Sequence, residues 1–297
     1  MFPKGDKFAT VSEDGTLRVW NIAERKQEKI FYLADDGKTF ERSKEGVSEV
    51  PNNAKGHAID IGPKMDKIKG GELAVIGFKD GSVRVVDLDT GAIKHNKNYF
   101  TSAVSVIRIS PDKRYVAIGS EGTTIRIFEY PSMASLPQST ELKGHLGSIT
   151  QLDWSEDSCI LHSNSTDRKL LFWKVKKDKA TDVLDLPCDP ERYRDEKWAT
   201  WTCIYGWPVQ GIVYEQSMKF LSCMRSTMVY DQYQLLATGD DGGLVRVYRY
   251  PCLKRGASYL KGKGHSSAVS CVRFTPDDKH VISVGLKDGC VFQWDIC

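Results

Sequence analysis

Three residue types that can carry out acyl transfer stand at regular intervals in this chain. His145, Ser163 and Asp167 form one set, and Trp173 follows the aspartate by six positions. A serine hydroxyl activated by a histidine, with an aspartate orienting the ring, is the arrangement of a nucleophilic hydrolase. The same set returns as His265, Ser283, Asp288 and Trp294, again with six positions from Asp to Trp. A catalytic triad has no reason to occur twice at one spacing. The pattern fits a buried relay instead, in which the indole donates, the hydroxyl bridges and the aspartate accepts from the imidazole. A third, partial set keeps Thr10, Asp14 and Trp20, with its histidine position falling upstream. No catalytic residue is expected.

Relays of this kind need strands to hold them. A Gly-His pair (Gly144-His145, Gly264-His265) leading to Asp and then Trp, repeated every ~40–45 residues, is the mark of a β-propeller blade of the WD40 type. The inner strand a has its own form. Ile149, Leu152 and Trp154 precede Ser155 and Asp157; Val104, Ile107 and Ile109 precede Ser110 and Asp112; Val269, Val272 and Phe274 precede Thr275 and Asp277. Aligning the strand c position of Trp173 picks out Trp20, Val86, Phe128, Tyr248 and Trp294, which predicts an all-β propeller of about six blades. The intervals from Trp20 to Val86 and from Trp173 to Tyr248 exceed one blade and must hold insertions. The first is placed at Ala34–Lys55 and Lys64–Gly71, the second at Asp189–Lys197 and Glu215–Asp231, all read as surface loops. Asp80 keeps its distance from Val86, which cannot donate, and Phe128 and Tyr248 also replace the indole. Those blades are expected to rely on apolar packing, at about 25 cal/mol per Å² buried.

The two end blades are incomplete. The first starts at its strand b, with Met1–Gly5 reading as the tail of a strand a, and the last ends after strand c. Since propellers close by joining strands from both chain ends, residues 1–297 are read as a single propeller cut from a longer protein.

Composition limits the function. At 297 residues with a formal net charge of +3, the chain is a globular protein with no charge excess that would point to nucleic acid. It has no apolar run long enough to span a bilayer and no signal-peptide core, so neither membrane nor secretion is expected. Eight cysteines, Cys159, Cys188, Cys203, Cys223, Cys252, Cys271, Cys290 and Cys297, lack metal-ligand spacing and read as reduced, mostly buried thiols. Asp240-Asp241-Gly242-Gly243 lacks the ordered ligands of a calcium loop and suits a hairpin turn. The common phosphate-binding, zinc-protease and hydrolase motifs are absent. No metal or cofactor is expected. Lysine clusters remain, at Lys64, Lys67 and Lys69, at Lys174–Lys179, and at Lys254–Lys263. Loops d–a and b–c of a propeller share a face, which would gather Lys79, Lys143, Arg168, Lys169, Lys263 and Lys287 for an acidic protein partner with salt-sensitive affinity.

The segment Lys197–Ile212, KWATWTCIYGWPVQGI, is not generic to such repeats. With Val245–Cys252, VRVYRYPC, the stretch from Gly144 to Trp173 and the closing HVISVGLKDGCVFQWDIC, it resembles the C-terminal half of the echinoderm microtubule-associated protein-like family. The resemblance runs through nearly the whole chain. It implies the second propeller of a tandem pair, a non-enzymatic scaffold on tubulin or microtubules, and a cytoplasmic, cytoskeletal location. The chain shows no coiled coil, hydrophobic family motif or first propeller, to which the family's tubulin binding is largely attributed. A generic propeller adaptor, such as a ubiquitin-ligase substrate receptor or a trafficking component, is the alternative.

Overall fold

Short apolar runs bounded by Asp, Gly and Ser turns form six antiparallel sheets in the computed structural model. It describes residues 1–2, 4–33, 39–41, 54–62, 72–134, 141–175, 183–184, 193–213, 219–230 and 232–296. The first sheet holds β1 (Lys7–Val11), β2 (Thr16–Asn21), β3 (Lys26–Leu33) and β4 (Thr39–Glu41). The second holds β5 (Gly56–Gly62), β6 (Leu73–Phe78), β7 (Ser82–Asp87) and β8 (Ile93–Asn98). The third is β9 (Val104–Ile109), β10 (Tyr115–Ser120), β11 (Ile125–Glu129) and β12 (Glu141–Leu142). The fourth is β13 (Ile149–Trp154), β14 (Ile160–Ser165), β15 (Leu170–Val175) and β16 (Val183–Leu184). The fifth is β17 (Phe220–Arg225), β18 (Gln234–Asp240), β19 (Leu244–Tyr250) and β20 (Tyr259–Lys263). The sixth is β21 (Val269–Phe274), β22 (His280–Gly285) and β23 (Val291–Asp295).

Each sheet is covered on both faces, and its composition follows from that. Strands β6, β10 and β14 are buried at every residue, whereas the outer strands β8 and β20 are polar and largely exposed. The hydrophobic clusters lie between consecutive sheets: Leu17 and Phe31 meet Ile76 and Phe78, Val83 and Val85 meet Ile107 and Ile118, and Ile125 and Ile127 meet Leu152 and Trp173. Ala237 and Val245 meet Val272 and Phe274, and the ring closes where Phe8 and Ile22 meet Ile282. Five of the inner-strand pairings carry a register shift at the same end, for example between Gly119 and Ser120 and between Val269 and Cys271. Such bulges increase the local twist that a ring of sheets requires.

Before β1, Phe2 N–H donates to the Lys7 carbonyl and Gly5 N–H to the Phe2 carbonyl. This is the bonding of the a–b turns at Ser110, Ser155 and Thr275, so Phe2 and Gly5 make the hydrogen bonds of such a turn.

One expectation for the insertions fails. Phe220–Arg225, placed by sequence in a surface loop, is the inner strand β17 of the fifth sheet. Its FLSCMR pattern packs Phe220 and Cys223 inward, and Met228 stands where Asp112, Asp157 and Asp277 follow the other inner strands, which hid it. The segment from Trp198 to Ile212, after the fourth sheet, is a wedge. Trp198, Trp201, Cys203, Val209 and Ile212 are buried between the fourth and fifth sheets, with Ile160 and Phe172 on one side and Leu236 and Tyr248 on the other. Ala199 N–H donates to the Trp154 carbonyl and Arg225 N–H to the Trp201 carbonyl, so this wedge bonds to the inner strand on each side. Its end, a 3-10 turn at Trp207–Val209 running into α1 (Gln210–Val213), is fixed by Gly211 N–H to the Cys252 carbonyl and Cys252 N–H to the Pro208 carbonyl. Lys64–Gly71 and most of Ala34–Lys55 lie outside the described residues, as do residues 189–192.

Candidate functional site

Strand b supplies the serine of each relay, the b–c turn the aspartate, strand c the tryptophan and the d–a loop the histidine. In the fourth sheet Trp173 Nε1 donates to Ser163 Oγ at 2.9 Å, and that oxygen lies 2.7 Å from His145 Nε2. His145 Nδ1 lies 3.0 Å from Asp167 Oδ2. An indole only donates, so the serine proton points to Nε2, and the imidazole, protonated at Nδ1, donates to the carboxylate. Burial keeps the His145 ring below its ordinary pKa against the pull of Asp167, which favours this neutral form. Burial on its own would raise Asp167, but the N–H groups of Leu146 and Lys169, together with the imidazole, outweigh it and bring the acid to about 2. Its Oδ1 accepts from Lys169 N–H at 2.9 Å, so one side chain caps the b–c turn and ties it to the d–a loop.

The sixth sheet repeats the geometry. Trp294 Nε1 to Ser283 Oγ is 2.8 Å, Ser283 Oγ to His265 Nε2 2.8 Å, and His265 Nδ1 to Asp288 Oδ2 2.9 Å. Ser163 and Ser283 are fully buried, so a substrate carbonyl has no path to either oxygen. In the first sheet Trp20 Nε1 donates to Thr10 Oγ1 at 2.9 Å, and Asp14 caps its turn through Thr16 N–H. The second oxygen of Asp14 takes Arg18 at 2.8 Å.

That arginine carries a rule the sequence reading missed. Two positions before the strand c residue aligned with Trp173, the sheets with a relay histidine have Leu171 and Phe292; the others have Arg18, Arg84, Arg126 and Arg246. Arg246 pairs with Asp240 at 3.2 Å, both almost fully buried, and lies over the Phe220 and Tyr259 rings. Arg126 bonds Glu141 and the Tyr99 carbonyl, and Arg84 covers Phe78. Val86, Phe128 and Tyr248 themselves pack in apolar clusters, and beside that packing a guanidinium fork serves where the imidazole is missing. The recurring RVW, RVV, RIF and RVY in strand c was the available signal.

A separate hub lies in the fourth sheet. Asp153, His162 and Cys203 are buried with their ligand-type atoms within 4.8 Å of one another. Asp153 accepts from His162 Nε2, Thr202 N–H and Cys203 N–H on one oxygen and from the Thr200 and Thr202 hydroxyls on the other. Five donors fill a carboxylate's acceptor sites, and burial holds the Cys203 thiol well above its ordinary pKa. The hub thus fastens the wedge to β13 and β14 without calling for a cation. Of the other cysteines, Cys223 and Cys252 are buried, Cys159 and Cys271 half-buried and Cys290 exposed; Cys188 and Cys297 lie outside the described residues.

The predicted cationic face lies along the rim made by b–c turns and d–a loops. Lys79, Arg168, Lys169 and Lys287 are on turns, Lys143 and Lys263 precede the Gly of the d–a loops, and all six are exposed. The rim is not uniformly basic: Lys79 lies 3.6 Å from Glu13 and Lys143 3.0 Å from Glu141. Arg168 has φ +64°, where the corresponding turns place Gly15, Gly81, Gly243 and Gly289. The Asp167 cap holds the turn in the left-handed region that a glycine adopts freely.

A profile described as the echinoderm microtubule-associated protein second beta-propeller matches residues 1–296. The chain is 36% identical to echinoderm microtubule-associated protein-like 3 of Homo sapiens, over 97% of this chain and 31% of that protein. It is 34% identical to echinoderm microtubule-associated protein-like 1 of Homo sapiens, over 76% of this chain and 27% of that protein. It is 33% identical to the 77 kDa echinoderm microtubule-associated protein of Lytechinus variegatus, over 76% of this chain and 33% of that protein. The chain thus spans about a third of the length of these relatives.

Proposed function

Because this chain belongs to the echinoderm microtubule-associated protein family, matching its second β-propeller from residue 1 to 296, we propose that it is a non-enzymatic scaffold of the microtubule cytoskeleton. The family match carries this reading, and the names of its relatives supply the partner, microtubules or tubulin. On this reading the chain is the second propeller of a tandem pair, cytoplasmic, and acts through its surface on other proteins without metal, cofactor, nucleic acid or membrane. Among the described residues no helix is long and apolar enough to cross a bilayer. The burial of both relay serines supports a structural role for the triad-like sets.

The contact surface assigned to the partner is the turn-and-loop rim, through Arg168, Lys169 and Lys287, with Lys79, Lys143 and Lys263 alongside. Opposed charge at such a rim acts mainly on association rate and salt dependence. Reversing the charge of Arg168, Lys169 and Lys287 together is expected to reduce co-sedimentation with microtubules at low salt while leaving the unfolding midpoint within about 1 kcal/mol of the parent. Unchanged pelleting sinks the rim assignment. Capture of a ubiquitin-ligase or trafficking complex in place of tubulin favours the generic adaptor, for which the ion-paired Lys79 and Lys143 leave room.

A further inference from the structure

The inner strands surround a cavity of about 230 Å³ on the ring axis, whose wall mixes apolar side chains with charged and polar ones. Equivalent positions of the inner strands carry Asp60 in β5, Arg108 in β9, Asp153 in β13, Met224 in β17 and Arg273 in β21. Arg108 and Arg273 both line the cavity. Elsewhere in the ring Arg18, Arg126 and Arg246 each reach a carboxylate. Here, among the described residues, the two guanidiniums are held only by neutral oxygens. Arg108 donates to the Ile107 carbonyl at 2.8 Å and, at longer range, to Gln151 and the Thr202 hydroxyl. Arg273 donates to the Val272 carbonyl at 2.7 Å and to Ser222 Oγ at 3.5 Å.

The carboxylates whose fields reach Arg108 are already engaged. Asp60 accepts from the Ile61 and Ile109 N–H groups, and Asp153 is the five-donor hub. Ser105 and Thr150 also contribute to the wall, but among the described residues their hydroxyl oxygens are shut off from the cavity and have no partner. Two like charges placed across one cavity repel each other. An oxyanion seated between them would relieve that repulsion, since guanidinium forks suit a multi-oxygen anion. The volume admits a phosphate-sized group with several waters at ~30 Å³ each.

We propose that the axial channel is a binding site for a compact phosphate-type oxyanion, held by Arg108 and Arg273. The site is independent of the rim and of the microtubule reading. Titration of the chain with inorganic phosphate, followed by calorimetry and by NMR of the histidine rings, tests it. His57 lines the channel with Nδ1 on the Val104 carbonyl, whereas His280 pairs with Asp295 outside it. Saturable binding of a single phosphate that shifts the His57 ring and leaves His280 in place is expected. Arg273→Gln should weaken it at least tenfold, as a site built on two charges requires, and Arg168→Gln on the rim should leave it unchanged. The His57 response is read on the unaltered chain, so it decides the matter even where Arg273→Gln does not fold. No saturable His57 shift, an equal loss in Arg168→Gln, or an equal shift produced by acetate overturns the proposal.

Discussion

Asp167 is where one side chain joins the b–c turn to the d–a loop, and its ionisation is tied to folding. Its pKa in the fold is about 2, below the ordinary 3.8. The unfolded chain therefore binds its proton first as pH falls, and the stabilisation present above the ordinary value is lost on the way down to about 2. His145 acts in the same direction at higher pH. Burial lowers its pKa below 6.5, so below that value the unfolded state takes up a proton that the relay refuses. Stability should fall continuously from pH 6.5 towards pH 2 in equilibrium urea unfolding. Asp167→Asn should be less stable at neutral pH and flatten the part of the curve below the aspartate's ordinary value. A mutant curve parallel to the parent's throughout would show that the acid loss arises elsewhere.

At the scale of elements, the wedge between the fourth and fifth sheets decides more than its loop-like sequence suggests. Trp198 stacks on His162 at 3.9 Å and Trp201 meets the same ring edge-on at 4.8 Å. Trp201 Nε1 also donates to the Cys203 carbonyl, so the indole is satisfied as well as buried. Removing it should open a cavity between two sheets, and Trp201→Ala is expected to cost about 3–5 kcal/mol. Trp207, in the same segment, is 39% exposed and lies against Arg194. Its alanine variant should cost less than about 1 kcal/mol. Urea midpoints of the two variants make the comparison, and equal losses would mean that the wedge does not bear on the adjoining sheets.

For the whole molecule, the ring is unevenly sealed. Among the described residues, the third and fourth sheets share a cluster of thirteen buried residues, whereas the sixth and first share three, Phe8, Ile22 and Ile282. The Arg25–Asp295 contact across that seam, at 3.5 Å, joins two exposed side chains and adds little. Local opening follows the thinnest apolar contact. Amide hydrogen exchange should therefore be fastest in β1, β2, β22 and β23 and slowest in β10 and β14. Uniform protection around the ring would show that the sheets open only together.

Repetition made the architecture legible. The Gly-His, Asp and Trp spacing and the strand a pattern marked the relays at His145 and His265 and the inner strands β9, β13 and β21, because hydrogen-bonding periodicity in sheets is local in sequence. The wedge and β17 were not legible, since their apolar residues follow no repeat and are buried only because two neighbouring sheets leave a gap there. The arginine substitutes were written in strand c but carried no meaning until packing set each guanidinium beside an acid or a ring. The rim cations stand at or beside turns and loops, yet the pairing of Lys79 with Glu13 depends on a residue from another sheet. Sequence alone determined the repeated strands and the relay groups that pair within one sheet. Tertiary structure decided what faces the axis, because Arg108 and Arg273 are more than a hundred and sixty positions apart and only ring closure brings their charges to one cavity.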